Sequence, residues 1–217
     1  MAFITDKQTR EELNLIGRYK SDSCFGLFNR THTKGGERLL EQLLKSPLTD
    51  KDDINERTNV FRYFQAKKYT FPLDGETVTA FNEWVDSGSE SMLSVWKQKA
   101  LSSLVKDERY ERQRNGLRAA AKVLQELYAF IESNLNDKGT AMPAALKESM
   151  VSVKNILSDR KIETLRLLAQ KTDVNVRDTA YYGKLIKSTM REETATLLRF
   201  IDELDVYIAV QLVDETQ

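Results

Sequence analysis

An all-α protein is predicted from this sequence: a helical bundle with a projecting antiparallel two-helix arm. Three observations lead there. The 217 residues include only 3 Pro and 9 Gly, which leaves room for long helices and disfavours a turn-rich β architecture. Apolar residues recur along most of the chain at the three- and four-residue spacing of a helix face. Between Leu117 and Leu157 that spacing sharpens into two heptad seams separated by a short breaker.

The elements follow in order. Thr9-Arg10-Glu11-Glu12 has the spacing of a capping box, in which hydroxyl and carboxylate satisfy each other's orphan backbone donors. A first helix is therefore expected near Thr9, with Leu13, Ile16 and Tyr19 on one face. A short apolar segment follows, holding Cys24, Phe25, Leu27 and Phe28. Thr33 is placed to cap the next helix, whose buried stripe is Leu39, Leu40, Leu43 and Leu44 and which Pro47 ends. Thr49 is expected to cap a helix carrying Ile54, Phe61 and Phe64. Asp74 starts another, with Val78, Phe81, Trp84 and Val85 inward, broken by Ser87-Gly88-Ser89. Leu93, Trp96, Ala100 and Leu104 mark the helix after it.

The arm comes next. Leu117, Ala121, Leu124, Tyr128, Ile131 and Leu135 alternate four and three apart, and Lys138-Gly139 closes the helix with a cation and a glycine. Pro143 opens the partner helix, where Leu146, Met150, Val153 and Leu157 repeat the spacing. A short loop makes such helices antiparallel neighbours, and the turn at 136–140 is expected to make few tertiary contacts. The seam could instead recruit a second chain; packing within the chain is the simpler explanation. Leu165 and Leu168 belong to a further short helix, and Asp173 to Tyr182 reads as a loop or short extended piece. The last helix carries Leu197, Ile201, Leu204, Ile208 and Leu212. The expected organisation is a bundle over 1–105, the arm and its connection over 106–189, and a terminal helix returning to the bundle over 190–217.

Composition narrows the function. Hydrophobic residues are 41% and charged residues 30%, as in soluble helical proteins. Formal net charge is +0, whereas an autonomous DNA binder usually carries a basic excess to displace counterions from phosphates. The single cysteine, Cys24, excludes an internal disulfide and fits a reducing compartment. The N-terminus lacks the basic and apolar regions of a signal peptide, and no apolar run reaches the ~20 residues of a membrane span. A cytoplasmic location is expected.

Chemical motifs are thin. Lys34-Gly35-Gly36 and Lys138-Gly139-Thr140 lack the spacing of a phosphate loop, so ATP binding by this segment is not expected. One His and one Cys cannot build a Cys/His zinc site, and Cys24 with His32 reads as a buried thiol near a surface imidazole before it reads as a catalytic pair. Asp50, Asp52 and Asp53 sit at a helix start, where carboxylates complement the dipole. Arg114, Arg118 and Lys122, four apart, make a basic stripe that could lie along a DNA backbone, extended upstream by Lys106, Arg109 and Arg112. The interleaved Glu108, Glu111 and Glu126 instead favour a solvated, ion-paired face.

Two stretches carry a family resemblance. One begins at Phe25 and runs Thr33-x-x-Gly36-x-Arg38-Leu39-Leu40-x-x-x-Leu44-x-x-Pro47-Leu48-x-Asp50-x-x-x-Ile54-x-x-Arg57. The other is Glu203-Leu204-Asp205-Val206-Tyr207-Ile208-Ala209-Val210. Together they resemble the two ends of the helical core, or lever, domain of the MutS family of DNA mismatch-repair ATPases. The resemblance implies that Thr33 starts the core helix and that Gly36 allows close helix approach. It makes Arg38 a candidate partner for an acidic neighbour, and Leu39, Leu40 and Leu44 core residues. Leu43 falls where many members have tryptophan, and Asp205 is the acid of a terminal Leu-Asp-Val.

In function it implies a non-enzymatic lever that couples the nucleotide state of an ATPase domain to DNA engagement. ATP and Mg would belong to that ATPase domain. DNA would be met through the full-length protein, and a homodimer would form through the ATPase. Nothing here resembles the family's Phe-x-Glu wedge or its ATPase, and the clamp domain is too large for the space in the arm. The expectation is a part of a shortened MutS-like ATPase, which need not repair mismatches. The alternative is a helical protein-interaction or dimerisation module with no DNA role.

Overall fold

The computed structural model describes residues 14–16, 23–88, 108–137, 139–171 and 174–213, and among these it is helical with no strand. The helices are α1 (Cys24–Phe28), α2 (Lys34–Lys45), α3 (Lys51–Lys67), α4 (Gly75–Asp86), α5 (Glu108–Asn136), α6 (Ala144–Leu157), α7 (Arg160–Leu167), α8 (Val176–Lys184) and α9 (Arg191–Gln211). A 3-10 turn, Leu168–Gln170, follows α7, and a π-turn, Leu185–Thr189, follows α8. No helix among the described residues is long and apolar enough to cross a membrane. Most of the helix expected from Thr9, and the one expected around Leu93 to Leu104, lie outside the described residues. Within the first, Asn14–Ile16 form a turn with Asn14 at a φ of 47°, which is not helical backbone.

The chain divides into two compact units. One comprises Met1–Phe71, Asp137–Met150 and Arg199–Gln217; the other comprises Pro72–Asn136 and Val151–Leu198.

In the first unit, side chains that satisfy orphan amides set the helix starts. Ser23 accepts from Gly26 N at 3.0 Å to begin α1, and Thr33 accepts from Gly36 N at 2.9 Å to begin α2. For α3 the cap is Asp50, not the expected Thr49, because the Asp50 carboxylate reaches two amides, Asp52 N at 2.9 Å and Asp53 N at 3.2 Å. The core joins Phe25, Leu40 and Val206, with Leu39, Leu43, Leu44, Phe28 and Val210 packed against it. Phe64, fully buried, lies 5.2 Å from the Tyr207 ring and 5.5 Å from that of Tyr69. Ile54, expected inward, is 43% exposed; Phe61 and Phe64, further along α3, supply the inward contacts. The turn expected to make few contacts is anchored: Asp137 pairs with Lys67 at the end of α3 and accepts from Gly139 N at 2.8 Å.

In the second unit, α5 is the central helix. The seam residues Leu117, Ala121, Leu124 and Ile131 have no exposed surface, and Tyr128 and Leu135 are half-buried. Ala120, Val123 and Leu127 are buried too, because α4, α7 and α8 also pack on α5. Close approach of α4 is possible because α5 has glycine at the contact: a Cβ on Gly116 would lie 2.2 Å from Trp84 Cγ.

Residues 151–157 of α6 are tied to α5 by side chains. Lys154 reaches Glu132 at 3.6 Å, while Arg166 donates both to Leu157 O and to Gln125 Oε1 at 3.1 Å. The buried Arg166 guanidinium lies 3.7 Å above the Tyr128 ring, which compensates part of its desolvation.

The stretch expected to be irregular holds α8. Asn175 caps it by accepting from Asp178 N at 2.8 Å, and Val176, Thr179, Ala180 and Gly183 form its buried face. The π-turn after it buries Lys187, whose ammonium donates to Ser87 Oγ and Gln113 Oε1 at 2.9 Å and lies 4.6 Å from the Trp84 ring.

Candidate functional site

The two sequence stretches singled out above, at opposite ends of the chain, meet at one carboxylate in the first unit. Asp205, on α9, has no exposed surface. Its Oδ2 accepts from Thr33 N and from the Thr33 hydroxyl, each at 2.8 Å. His32 N donates to Oδ1 at 2.9 Å and to Oδ2 at 3.0 Å, and the His32 ring Nδ1 lies 3.1 Å from Oδ1. Thr33 therefore does two jobs with one hydroxyl. The oxygen accepts from Gly36 N to cap α2, and the proton goes to Asp205. The acid sits at the N-terminus of α2, where unsatisfied amides and the helix dipole favour a negative group.

Glycines make room for it. A Cβ on Gly36 would lie 2.4 Å from Asp205 Oδ2, and one on Gly35 would lie 2.0 Å from Asp202 Oδ1. At Gly36 the group that comes close is the clasp carboxylate itself. The His32 ring is held from its other face by Phe71, stacked at 4.9 Å and 14°. It faces Asp205 and Phe71, so it is not directed at the half-buried Cys24.

Asp202 is a neighbour that the sequence reading missed. It lies one helical turn before Asp205, and its Oδ1 is buried with no hydrogen-bond partner among the described residues. Burial first, then the charge of Asp205, raises its pKa to about 6, and the charge of Arg38 opposes that rise. Arg38, itself exposed, thus acts on Asp202, an acid that spacing alone did not mark out.

The remaining motif residues have distinct places. Phe25, Leu40 and Leu204 are buried, and Leu39 and Leu44 are half-buried against the same cluster. Pro47 is exposed beyond the end of α2, and Arg57 is half-buried beside the Tyr207 ring. Ile54 is corrected from core to surface. On α5, Arg114 pairs with Glu111 at 2.7 Å and Lys122 approaches Glu126 at 4.0 Å, while Arg118 is half-buried. Lys106 and the side chain of Arg109 lie outside the described residues.

The family model for MutS domain III matches residues 8–211. The chain belongs to the MutS domain III family.

Relatives agree over a shorter span. A DNA mismatch repair protein MutS from Leuconostoc mesenteroides is 42% identical over 64 residues, 28% of this chain and 8% of that protein. Its counterpart from Thermotoga neapolitana is 41% identical over 56 residues, 26% of this chain and 7% of the relative. That from Thermosipho melanesiensis is 38% identical over 61 residues, 28% of this chain and 7% of the relative. The matches therefore cover less than a tenth of each relative's length. For a MutS domain III, the clasp gives the pattern of Thr33, Gly36 and Asp205 a physical meaning. Each residue type is needed for α9 to lock onto the start of α2.

Proposed function

We propose that this domain is the lever core of a MutS-like DNA-repair ATPase, passing conformational change between an ATPase domain and the parts that engage DNA. One observation carries the reading: α9 is fastened through a fully buried carboxylate to the first turn of α2, across 172 residues of sequence. A latch of short hydrogen bonds between a buried acid and backbone amides is stiff, so a displacement of α9 moves α2 with it. α9 is a continuous helix of 21 residues, about 30 Å long, which suits it to carry such a displacement.

ATP and Mg would act elsewhere in the full-length protein, with dimerisation through the same ATPase domain. This chain has no Gly-x-x-x-x-Gly-Lys-Ser/Thr, and its described residues hold no group of three metal-ligating side chains.

The test is made in the full-length protein. Asp205→Asn keeps the shape of the clasp and weakens its hydrogen bonds. Turnover of ATP without DNA should stay within about twofold, while stimulation by DNA falls about five- to tenfold, the low end of usual coupling energies. Unchanged stimulation in a variant whose melting curve shows the clasp broken refutes the lever reading.

A further inference from the structure

A second feature of the first unit is independent of the clasp. A groove of about 270 Å³ lies between α3, α6 and α9. Its apolar walls include Leu48, Val60, Leu146 and Phe200. Its polar groups are Asp53, Glu56 and Glu203 against the single cation Arg57. Tyr207 also lines it. We propose that this groove is a docking site for a basic side chain, arginine or lysine, carried with an apolar neighbour on a segment of a partner protein.

The charge balance selects the occupant. Three carboxylates and one guanidinium line the groove, and the second guanidinium nearby, Arg199, is a water-exposed partner of Glu203 at its edge, so the lining favours a cation over phosphate. Glu203 strengthens the case because it is a poorly compensated acid. Burial raises its pKa, and its ion-pair partner is Arg199 at 3.4 Å, a side chain that is 81% exposed and screened by water. Burial also raises the pKa of Tyr207 to about 12, with Glu203 next in effect, so the phenol keeps its proton at neutral pH, and a phenol oxygen can accept from a docked guanidinium.

Size favours a small occupant. The volume falls below the roughly 300–1,000 Å³ of small-molecule sites and suits one or two side chains. Ile54, one turn before the lining residue Arg57 on α3 and 43% exposed, offers an apolar surface next to the groove. The proposal goes beyond the lever role and does not depend on it.

The experiment uses the whole chain, isotope-labelled, titrated by NMR with the peptide acetyl-Leu-Arg-Leu-Arg-Leu-amide. Shifts should concentrate on Glu56, Arg57, Glu203, Tyr207 and Ile54. A peptide with norleucine for arginine should bind about tenfold more weakly, as expected for loss of one charge-assisted hydrogen bond. The double variant E56Q/E203Q, which keeps the shape of the groove, should lose about as much. Ile54→Ser, a surface change that leaves folding intact, should weaken binding without altering the preference for arginine. Equal binding of both peptides, equal binding to E56Q/E203Q, or shifts outside the groove would overturn the proposal. So would groove shifts produced by a DNA duplex, or self-association of the chain that buries Ile54.

Discussion

Asp205→Ala is the most direct perturbation of the clasp. It strips the acceptor from Thr33 N, a buried donor, from the Thr33 hydroxyl and from His32 N, which is partly buried. The hydroxyl can turn away and keep capping α2; the two amides cannot. A buried donor left unmade costs about 1–3 kcal/mol, so the two together give about 3–5 kcal/mol. That is a large share of the roughly 5–15 kcal/mol that holds a domain folded. Urea unfolding followed by circular dichroism at equal denaturant slopes measures it. Asp205→Asn retains one acceptor oxygen but turns a carboxamide NH2, itself a donor, toward amide donors, and about 2 kcal/mol is expected. Thr33→Val removes the cap and its bond to the acid, at about 1–2 kcal/mol. Because Thr33 and Asp205 share a hydrogen bond, the double variant Thr33→Val with Asp205→Ala should fall short of the sum by about 1 kcal/mol. A loss below about 1 kcal/mol for Asp205→Ala, or strict additivity in that cycle, refutes the account of the clasp.

Three other outcomes follow from the same structure. Leu40→Ala, at a position only 3% exposed, should cost about 2–5 kcal/mol in the same unfolding assay, while Ile54→Ala should cost less than about 0.5 kcal/mol. Gly116→Ala forces a methyl against Trp84 and should lower stability by about 1–3 kcal/mol, which thermal melting will detect; no loss would mean that α4 can move aside. Asp202 holds its proton in the fold where the unfolded chain has lost it, so its contribution to stability falls as pH rises from about 4 to about 6. That interval is worth up to about 3 kcal/mol, reduced to about 1–2 by partial solvation, so Asp202→Asn should be the more stable form at pH 7.5 and show no such gain at pH 4.

Much of the fold was legible in the sequence because helix starts and faces are local facts. Thr33 and Asp74 cap the helices expected of them, and Pro143 stands just before α6, its carbonyl accepting from Lys147 N at 3.0 Å. Leu117 to Leu157 are buried at the heptad spacing, apart from half-buried Tyr128 and Leu135. The local reading failed where signals competed. Thr49 and Asp50 are both good caps, and only backbone geometry shows which side chain reaches two amides. The stretch from Asp173 to Tyr182 shows no extended apolar stripe because, between Val176 and Tyr182, its buried face uses Thr179 and Ala180, small residues that carry little hydrophobic signal. Of the clasp, Thr33, Gly36 and Asp205 were marked by family resemblance alone; nothing in their spacing says that they touch. Asp202 carried no mark at all, since an acid on a helix surface and an acid beside a second buried acid look alike in sequence.

By itself, the sequence determined the helical class, the stripe of leucines that anchors α2, the seam along α5 and membership of a family, because these rest on period, capping and residue type within a few turns. The tertiary structure alone decided what α9 is fastened to. Whether Asp205 is a solvated surface charge or a buried latch depends on Thr33 N lying 2.8 Å away, and that distance is set by packing between segments 172 residues apart. It likewise decided that Ile54, in the first turn of α3, is 43% exposed although Phe61 and Phe64 further along the same helix pack inward, because the inward contacts lie past the first turn.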